Sequence, residues 1–227
     1  MTVRDPESPE SRSRDQPHKS TSLVVLRNTV LSLLAGGLVV LSQSIALGPN
    51  GKTTWMWQVD FVAGMIAFWC VIMIPVSVYR LLGSKQRRPA TRTLLSSIAY
   101  CVVFYFAMRE AIKIRKDAFH ALAERSMLLV EAIEEYEKAN NRPPPNLSAL
   151  VPDYLPSVPS TGMGAYPLYR YVTGQGDAPP GNTWSLEVFT PSGLFDFDRF
   201  LYYPNQNYES HPWGVLEPMG RWAYLHE

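Results

Sequence analysis

The chain has 227 residues, of which 46% are hydrophobic, and a formal net charge of +1. This length allows one or two ordinary domains, and the near-zero net charge hides a strong segregation of charged and apolar residues along the chain. The two cysteines, Cys70 and Cys101, both lie in apolar segments of the first half, so a disulfide scaffold or a cysteine-ligated metal site is excluded for the second half. We interpret both cysteines as small apolar residues that pack between helices.

Residues 1–22 form a polar N-terminal tail without an apolar run near its start. A cleaved signal peptide places its apolar region directly behind a short basic stretch, so we expect the first apolar segment to be an uncleaved anchor. The polar composition of the tail predicts a disordered, cytoplasmic segment. Four acidic residues disfavour a serine-rich transit peptide: Asp5, Glu7, Glu10 and Asp15.

Residues 23–108 contain three apolar segments and are predicted to form a transmembrane region. Residues 28–47 carry no charge and match the ~20 residues that a membrane-spanning helix needs. Residues 61–79 form a second uncharged segment, in which Pro75 is tolerated if neighbouring groups satisfy the freed carbonyl. Residues 93–108 are shorter and could form a buried core helix, but the two preceding segments and the continuing helical pattern favour a third span.

The basic residues predict the orientation of these spans. Five precede the first span (Arg4, Arg12, Arg14, Lys19 and Arg27), four lie between the second and third spans (Lys85, Arg87, Arg88 and Arg92), and the first loop has Lys52 alone. We therefore expect a multi-pass protein of the cell (inner) membrane, with a cytoplasmic N-terminus and an extracytoplasmic C-terminal domain. A second basic group, after the third span, conflicts with this orientation: Arg109, Lys113, Arg115 and Lys116. Long trailing domains are nevertheless translocated largely regardless of charge.

Residues 109–227 are predicted to form an α+β domain that begins with the continuation of the third span. An apolar stripe recurs at three- and four-residue steps: Phe119, Leu122, Ala123, Ser126, Leu129, Val130, Ile133 and Tyr136. This period predicts one long amphipathic helix. It should end near Asn140–Asn141, because asparagine tolerates the left-handed cap and Pro143 cannot continue a helix. Asn146 then predicts the N-cap of a short helical turn over 147–151.

Four strands are predicted after this turn, over residues 168–173, 183–190, 198–203 and 221–226, from alternating patterns and from Gly, Pro and Asn loops. Aromatic side chains supply the core of a small antiparallel sheet. The long helix should cover one face of the sheet, and the other face should be exposed or covered by a partner.

The segment AIEEYEKANNRPPPNLSALVPDYLPSVP, residues 132–159, resembles type IV pilin-like and type II secretion pseudopilin-like domains. In these domains a helix ends in a tyrosine-containing turn, and a proline, an L-x-x-L turn and a P-x-Y-L-x-x-x-P connector lead into an antiparallel sheet. The matching residues are Ile133, Tyr136, Pro145, Leu147, Leu150, Val151, Pro152, Tyr154, Leu155 and Pro159. The resemblance implies a pilin-like fold and a role related to secretion or pili.

The start of the third apolar segment departs from that family. Prepilins carry a Gly-Phe-Thr-Leu-x-Glu-like sequence at the start of their single apolar helix, where a peptidase cuts. The corresponding stretch here, RPATRTLLSSIAYCVV (residues 88–103), has neither the glycine nor the acidic residue, and two further spans precede it. We therefore expect a permanently anchored pilin-like domain instead of a polymerising subunit.

Candidate sites for metal or catalysis are few. Asp196 and Asp198 could point outward from one strand, and some pseudopilin-like domains bind calcium in a C-terminal loop, but calcium needs six to eight oxygens, and we favour a solvated strand edge. The four histidines, His18, His120, His211 and His226, have no metal-ligand spacing. No catalytic, cofactor-binding or metal-binding residue is predicted, and no enzyme motif is present.

The aromatic residues of the second half admit two interpretations. Six of them could stack on sugars or bases: Trp184, Tyr203, Tyr208, Trp213, Trp222 and Tyr224. Beyond residue 150, however, three arginines stand against eight acidic residues, which excludes a nucleic-acid partner. We favour sheet core and loop anchors over a surface for a protein or a glycan.

Two functional hypotheses follow. The first is a non-catalytic integral membrane protein whose pilin-like domain contacts another envelope protein. The alternative is a membrane-bound sensor whose outer domain binds a small ligand and signals through the third span. Transport is disfavoured, because no Asp, Glu, Lys or His lies in the middle of a predicted span and Arg80 can reach the interface from the end of the second.

Overall fold

A computed structural model of the protein describes residues 21–83, 86–174, 179–193, 196–208 and 214–226. The predicted disordered tail lies outside the described residues except for its last two, which already belong to the first helix. Beyond the tail, which includes His18, three residues named in the sequence interpretation also lie outside them: Lys85, His211 and Trp213.

Three long helices form the first part of the fold: α1 (Thr21–Ala46), α2 (Thr53–Leu81) and α3 (Arg87–Asn140). Each is long and apolar enough to cross a membrane, which confirms the number and position of the predicted apolar helices. The helices extend beyond the predicted segments, and α2 in particular begins well before residue 61. Asp60 consequently lies inside α2, directly before the predicted segment of residues 61–79.

Helix α3 packs against both α1 and α2. Gly36 of α1 allows a close approach, because a Cβ atom at this position would lie 2.7 Å from Val103 Cγ1 of α3. Small side chains, including Ala63 of α2 and Ala107 of α3, fill the contact around Val39. Such small residues let helix backbones approach closely, so the three helices form one packed bundle.

Helix α3 is a single helix of 54 residues, about 80 Å long at ~1.5 Å per residue. Pro89 lies in its first turn, where proline is tolerated, and neither Gly nor Pro interrupts the rest. The helix ends at Asn140, and Asn141 has φ 54° and ψ 25° in the left-handed region, as predicted. The helix therefore belongs to the apolar bundle at one end and to the C-terminal half at the other.

The short helical turn is a 3-10 helix (Leu147–Leu150), and the predicted N-cap is confirmed, because Asn146 Oδ1 accepts a hydrogen bond from Ala149 N at 3.1 Å. The strands are β1 (Arg170–Thr173), β2 (Trp184–Phe189), β3 (Arg199–Tyr202), β4 (Val215–Met219) and β5 (Trp222–His226). They form one antiparallel sheet in the order β1-β2-β3-β5-β4.

The sequence predicts four of these five strands and misses β4, so the predicted count is wrong. β4 contains Pro218, which cannot donate to a sheet ladder and therefore argues against a strand in the sequence. In the structure β4 lies at the edge of the sheet and pairs with β5 alone. An edge position is where a strand tolerates proline.

The sheet is covered by α3 on one face and in part by the chain itself on the other. The inner face packs against α3 and buries seven large side chains: Trp184, Leu186, Val188, Phe200, Tyr202, Trp222 and Tyr224. On the other face Leu201 and Leu225 are also buried. There Tyr208 stacks on Tyr203 at 5.0 Å and donates its hydroxyl to the Arg221 carbonyl at 2.6 Å. The chain itself therefore covers part of the face that the sequence left open.

Candidate functional site at the junction of helix and sheet

Arg115 of α3 is the centre of a polar cluster between the helix and the sheet. Its Nη1 donates to Tyr166 Oη at 2.7 Å, and its Nη2 donates to Tyr224 Oη at 2.9 Å and to the Thr190 carbonyl. The guanidinium carbon also lies 5.1 Å from the ring centre of Phe119, within the range of a cation–π contact. We call these residues the Arg115 cluster, together with the Asp198 carboxylate that Tyr224 contacts.

Asp198 supplies the opposite charge in this cluster. The residue is only 6% exposed, and its Oδ2 accepts a hydrogen bond from the Tyr224 hydroxyl. Its carbonyl accepts from Thr190 N at 2.8 Å. A buried carboxylate is costly unless it is hydrogen-bonded and paired with a positive charge. Arg115 provides that charge through the shared Tyr224 hydroxyl, so a chain of contacts runs from α3 to β5 and to the segment before β3.

The two tyrosines act as neutral hydrogen-bond donors. Burial raises the pKa of Tyr224 and of Tyr166 above the ordinary tyrosine value, and the opposing effect of the nearby Arg115 guanidinium does not cancel it. Both hydroxyls therefore keep their protons at neutral pH. Tyr166 donates to the Pro191 carbonyl at 2.8 Å and Tyr224 donates to Asp198. Each phenol thus accepts from arginine and donates onward, and the arrangement joins segments of the fold.

Lys116, the next residue of α3, makes a second contact with the sheet. Its Nζ lies 2.6 Å from Glu217 Oε1 on β4, and this hydrogen bond is the main cause that lowers the pKa of Glu217. His226 lies at the same rim, with Nε2 3.5 Å from Glu217 Oε2 and Nδ1 3.7 Å from Asp198 Oδ2. Two consecutive basic residues of α3 therefore contact the sheet through different partners.

The carboxylates of Asp196 and Asp198 have different surroundings, although the two residues are in contact. Asp196 organises its own loop: its carboxylate accepts from Ser192 N and from Asp198 N, both at 2.9 Å. Partial burial opposes its ionisation, but hydrogen bonds from Ser192 and Asp198 outweigh it and lower the pKa of Asp196. The predicted solvated strand edge is wrong for Asp198, because Tyr224 draws this carboxylate into the interior. Among the described residues no group of three or more His, Cys, Asp or Glu side chains could hold a metal ion.

The other candidate residues do not form one site. His120 is exposed on α3, and Cys70 and Cys101 are free and half-buried in the bundle. Trp184, Trp222 and Tyr224 belong to the core under α3, as the favoured interpretation of the aromatic residues predicts. Tyr203 and Tyr208 cover the other face of the sheet.

A second junction joins the C-terminal half to the loop between α1 and α2. Gly164 N donates to the Gly48 carbonyl at 2.7 Å, and Ala165 N donates to the Ala46 carbonyl at 3.1 Å. Leu47 of this loop is buried in the same core as the sheet. A Cβ atom at Gly164 would overlap the backbone of Gly51, so this close backbone contact requires glycine. The C-terminal half is therefore fixed to the bundle at two places.

A buried polar pair lies within the bundle. Gln43 Nε2 of α1 donates to Asp60 Oδ2 of α2 at 2.7 Å. Three buried polar atoms of this region have no hydrogen-bond partner among the described residues: Gln43 Oε1, Trp57 Nε1 and Asp60 Oδ1. The sequence interpretation misses this pair because hydropathy places the start of the second apolar segment after Asp60.

The Arg115 cluster is also missed from the sequence, which treats Arg115 only as a charge in conflict with the predicted orientation. A signal is nevertheless present. Arg115 falls on the buried stripe of α3, four residues after Ala111 and four before Phe119, where a side chain must face the protein interior. Comparison of the chain with protein-family models, curated proteins and solved structures finds no match. The geometry itself therefore carries the functional argument.

Proposed function

We propose that the protein is a non-catalytic integral membrane protein that presents its C-terminal domain outside the cytoplasm, for contact with another protein of the cell envelope. The observation that carries this proposal is the continuity of α3, which is one helix from the apolar bundle to the sheet core. A domain that shares an unbroken helix with a membrane bundle is held at a fixed height and orientation. Fixed presentation suits a docking surface.

The second junction supports the same conclusion. Leu47 of the loop between α1 and α2 is buried in the C-terminal core. The carbonyls of Ala46 and Gly48 accept hydrogen bonds from Ala165 N and Gly164 N. A domain attached only through α3 could swing about one point, whereas two attachments prevent that motion. The Arg115 cluster adds polar contacts at the base of the sheet. We therefore propose a rigid, membrane-proximal platform.

The pilin-like part of the proposal rests on residues 132–159 and on the packing of a long helix against an antiparallel sheet. A pilin subunit must leave the bilayer to join a fibre. Here α1 packs tightly on α3 at Gly36 and Val103, and extraction of α3 would break this packing and both junctions. This supports a permanently anchored, pilin-like component related to secretion or pili over a fibre subunit.

Site-specific photocrosslinking in native membranes tests the docking role. Phe189 on β2 is 52% exposed and is a suitable position for the crosslinker, with the exposed Glu131 of α3 as the matched position. We expect a discrete product with a different protein from position 189 that survives mild detergent extraction. Crosslinking of the protein only to itself from both positions would contradict the proposal. A C-terminal tag tests sidedness separately, and a tag accessible only from the cytoplasm would refute the proposed orientation.

A cavity favours the sensor as a second candidate. It has a volume of about 590 Å³ and lies between the start of α2 and the loop before β3, with Trp57, Asp60, Phe61, Ser192 and Gly193 in its lining. This size suits a small molecule. A ligand present at 100 times its Kd would stabilise the protein by about 2.7 kcal/mol.

A ligand screen on the full chain tests the sensor. Thermal unfolding should show an increase in Tm for a binding compound, and Gly193→Phe should abolish that increase by filling the cavity. A Cβ atom at Gly193 meets no atom within 4 Å, so the variant should fold. The sensor is refuted if no compound in a broad screen raises the Tm of the unmodified chain.

A further inference from the structure

A groove lies between α1 and α2 at the end of the bundle remote from the sheet. It has a volume of about 510 Å³ and is lined by the first half of α1, the second half of α2 and the beginning of α3. Its walls are largely apolar and include Leu31, Ala35, Ile66, Trp69 and Met73. A groove of this kind in a membrane bundle would be filled by an apolar chain.

The mouth of the groove is polar. Arg92, Asn28 and Ser96 line it. Arg92 is half-buried, and its Nε donates to Thr21 Oγ1 at 3.1 Å. Asn28 Nδ2 donates to Ser96 Oγ at 3.0 Å. The guanidinium is thus held in position at the point where the apolar lining begins.

The charged side chains of the described segments around this mouth are all basic. The described residues at this end of the bundle include five arginines: Arg27, Arg80, Arg87, Arg88 and Arg92. Neither Asp nor Glu occurs in the described residues 21–32, 76–83 and 86–96 of this end. The described segments therefore carry an excess of positive charge at this end of the bundle, and this excess attracts an anion. Basic pockets between membrane helices are suited to anionic lipid headgroups.

The length of the groove matches one leaflet. Its lining on α1 runs from Val24 to Ala35, which corresponds to about 16 Å at ~1.5 Å per residue. This distance is about half of the ~30 Å hydrocarbon core of a bilayer. The groove therefore extends from the arginine-rich interface to about the bilayer midplane, as an acyl chain does.

We propose that this groove is a binding site for one anionic glycerophospholipid, whose phosphate contacts Arg92 and whose acyl chain lies between Leu31 and Trp69. The site rests on the membrane location given in the proposed function. A zwitterionic lipid fits less well, because the arginines repel its headgroup cation. The bound lipid fills the gap between α1 and α2 and holds both against α3.

Native mass spectrometry of the full chain tests this site. The protein is exchanged into micelles that contain equal amounts of phosphatidylglycerol and phosphatidylcholine, and the lipids that remain bound are counted. We expect phosphatidylglycerol to dominate. Arg92→Gln should lower the ratio of bound phosphatidylglycerol to phosphatidylcholine about tenfold, since hydrogen bonds to charged groups contribute ~1.5–3 kcal/mol.

Two matched controls separate this site from general attraction to a basic surface. Arg80→Gln removes an exposed arginine from the same end of the bundle, outside the groove lining, and should leave the ratio unchanged within about twofold. Ala35→Phe should fill the groove and reduce bound lipid. Leu34→Phe, at a 66% exposed position on the same helix, should not.

The outcomes are distinguishable. Equal amounts of bound phosphatidylglycerol and phosphatidylcholine on the unmodified chain overturn the site. An equal decrease of the bound phosphatidylglycerol-to-phosphatidylcholine ratio in Arg92→Gln and Arg80→Gln also overturns it. Retained lipid in Ala35→Phe refutes the place of the acyl chain. Extraction of the unmodified chain from native membranes by alkaline carbonate would refute the proposed function as well. A chain that resists extraction but shows no lipid preference refutes only the site.

Discussion

Replacing Arg115 with methionine tests whether the Arg115 cluster holds the C-terminal half on the bundle. The change keeps a long unbranched side chain on α3 but removes every hydrogen bond from the guanidinium. Tyr166 and Tyr224 keep their own acceptors, the Pro191 carbonyl and Asp198. The Thr190 carbonyl loses the donor that Arg115 provides. Asp198 loses the positive charge that Arg115 supplies through Tyr224, but it keeps His226 Nδ1 at 3.7 Å.

The expected loss of stability can be worked from these contacts. Removing the donor to a buried carbonyl costs ~1–3 kcal/mol, and each cation–π contact of the guanidinium contributes ~0.5–2 kcal/mol. Removing one partner of a buried charge costs up to ~3–5 kcal/mol, and the cost for Asp198 is smaller because Tyr224 and His226 stay in contact with it. Because Arg115 contacts Asp198 only through Tyr224, the terms overlap, and we expect a total of about 3–5 kcal/mol. At ~2–4 °C per kcal/mol for a chain of this size, Tm should fall by roughly 10 °C.

The assay is thermal unfolding of the full chain in detergent, followed by tryptophan fluorescence, because Trp184 and Trp222 are buried in the affected core. Lys113→Met is the matched control, since Lys113 is exposed on the same helix, and its effect should stay within about 0.5 kcal/mol. Arg115→Lys keeps the charge without the planar fork and should fall between the two variants. An Arg115→Met chain as stable as Lys113→Met would refute the reasoning.

Three further predictions concern other contacts of the C-terminal half. Lys116 holds the pKa of Glu217 in the folded state below its ordinary value of 4.5. The ionised Glu217 therefore stabilises the fold above pH 4.5, and this stabilisation is lost as the pH falls through the folded pKa. In Glu217→Gln, Tm should decrease less than in the unmodified chain as the pH is lowered through this range. Burial raises the pKa of Tyr171 from 10.0 to about 12. The folded chain should therefore lose stability as the pH rises from 10 to 12, seen as a decrease in Tm, while tyrosinate absorbance follows the ionisation. The decrease in Tm over this range should be smaller for Tyr171→Phe. Gly164→Ala places a Cβ atom against the backbone of the loop between α1 and α2 and should cost ~1–3 kcal/mol in thermal unfolding, whereas Gly193→Ala, with open space at its Cβ, should be neutral.

The sequence predicts most of the secondary structure because its signals are local. The three apolar segments, the stripe of α3 and the asparagine at its end each lie within a few turns of one helix, where periodicity and capping are direct consequences of local geometry. β4 is not predicted from the sequence, because Pro218 disfavours a strand at this position. Proline is tolerated there because β4 lies at the edge of the folded sheet.

The Arg115 cluster is not predictable in the same way, because its members come from five separate parts of the chain. Arg115 lies on α3, Tyr166 precedes β1, Thr190 follows β2, Asp198 precedes β3 and Tyr224 lies on β5. Their contact depends on the packing of α3 across the sheet and on the pairing of β3 with β5. Neither is encoded in the spacing of these residues. The position of Arg115 on the buried stripe indicates an interior partner, but the sequence does not identify which one.

The burial of Arg115 bears on the predicted orientation. The positive-inside rule treats basic residues near a span as signals for topology, and on that basis the four after the third span conflict with an extracytoplasmic C-terminal domain. Arg115 and Lys116, however, each have a structural partner, since the first compensates Asp198 and the second binds Glu217. The fold requires basic residues at these two positions whichever side of the membrane they occupy. Their presence is therefore weak evidence about which side of the membrane they occupy. The arginines at the opposite end of the bundle are stronger evidence, because the described segments of that end contain no acidic residue. They favour a cytoplasmic location for that end.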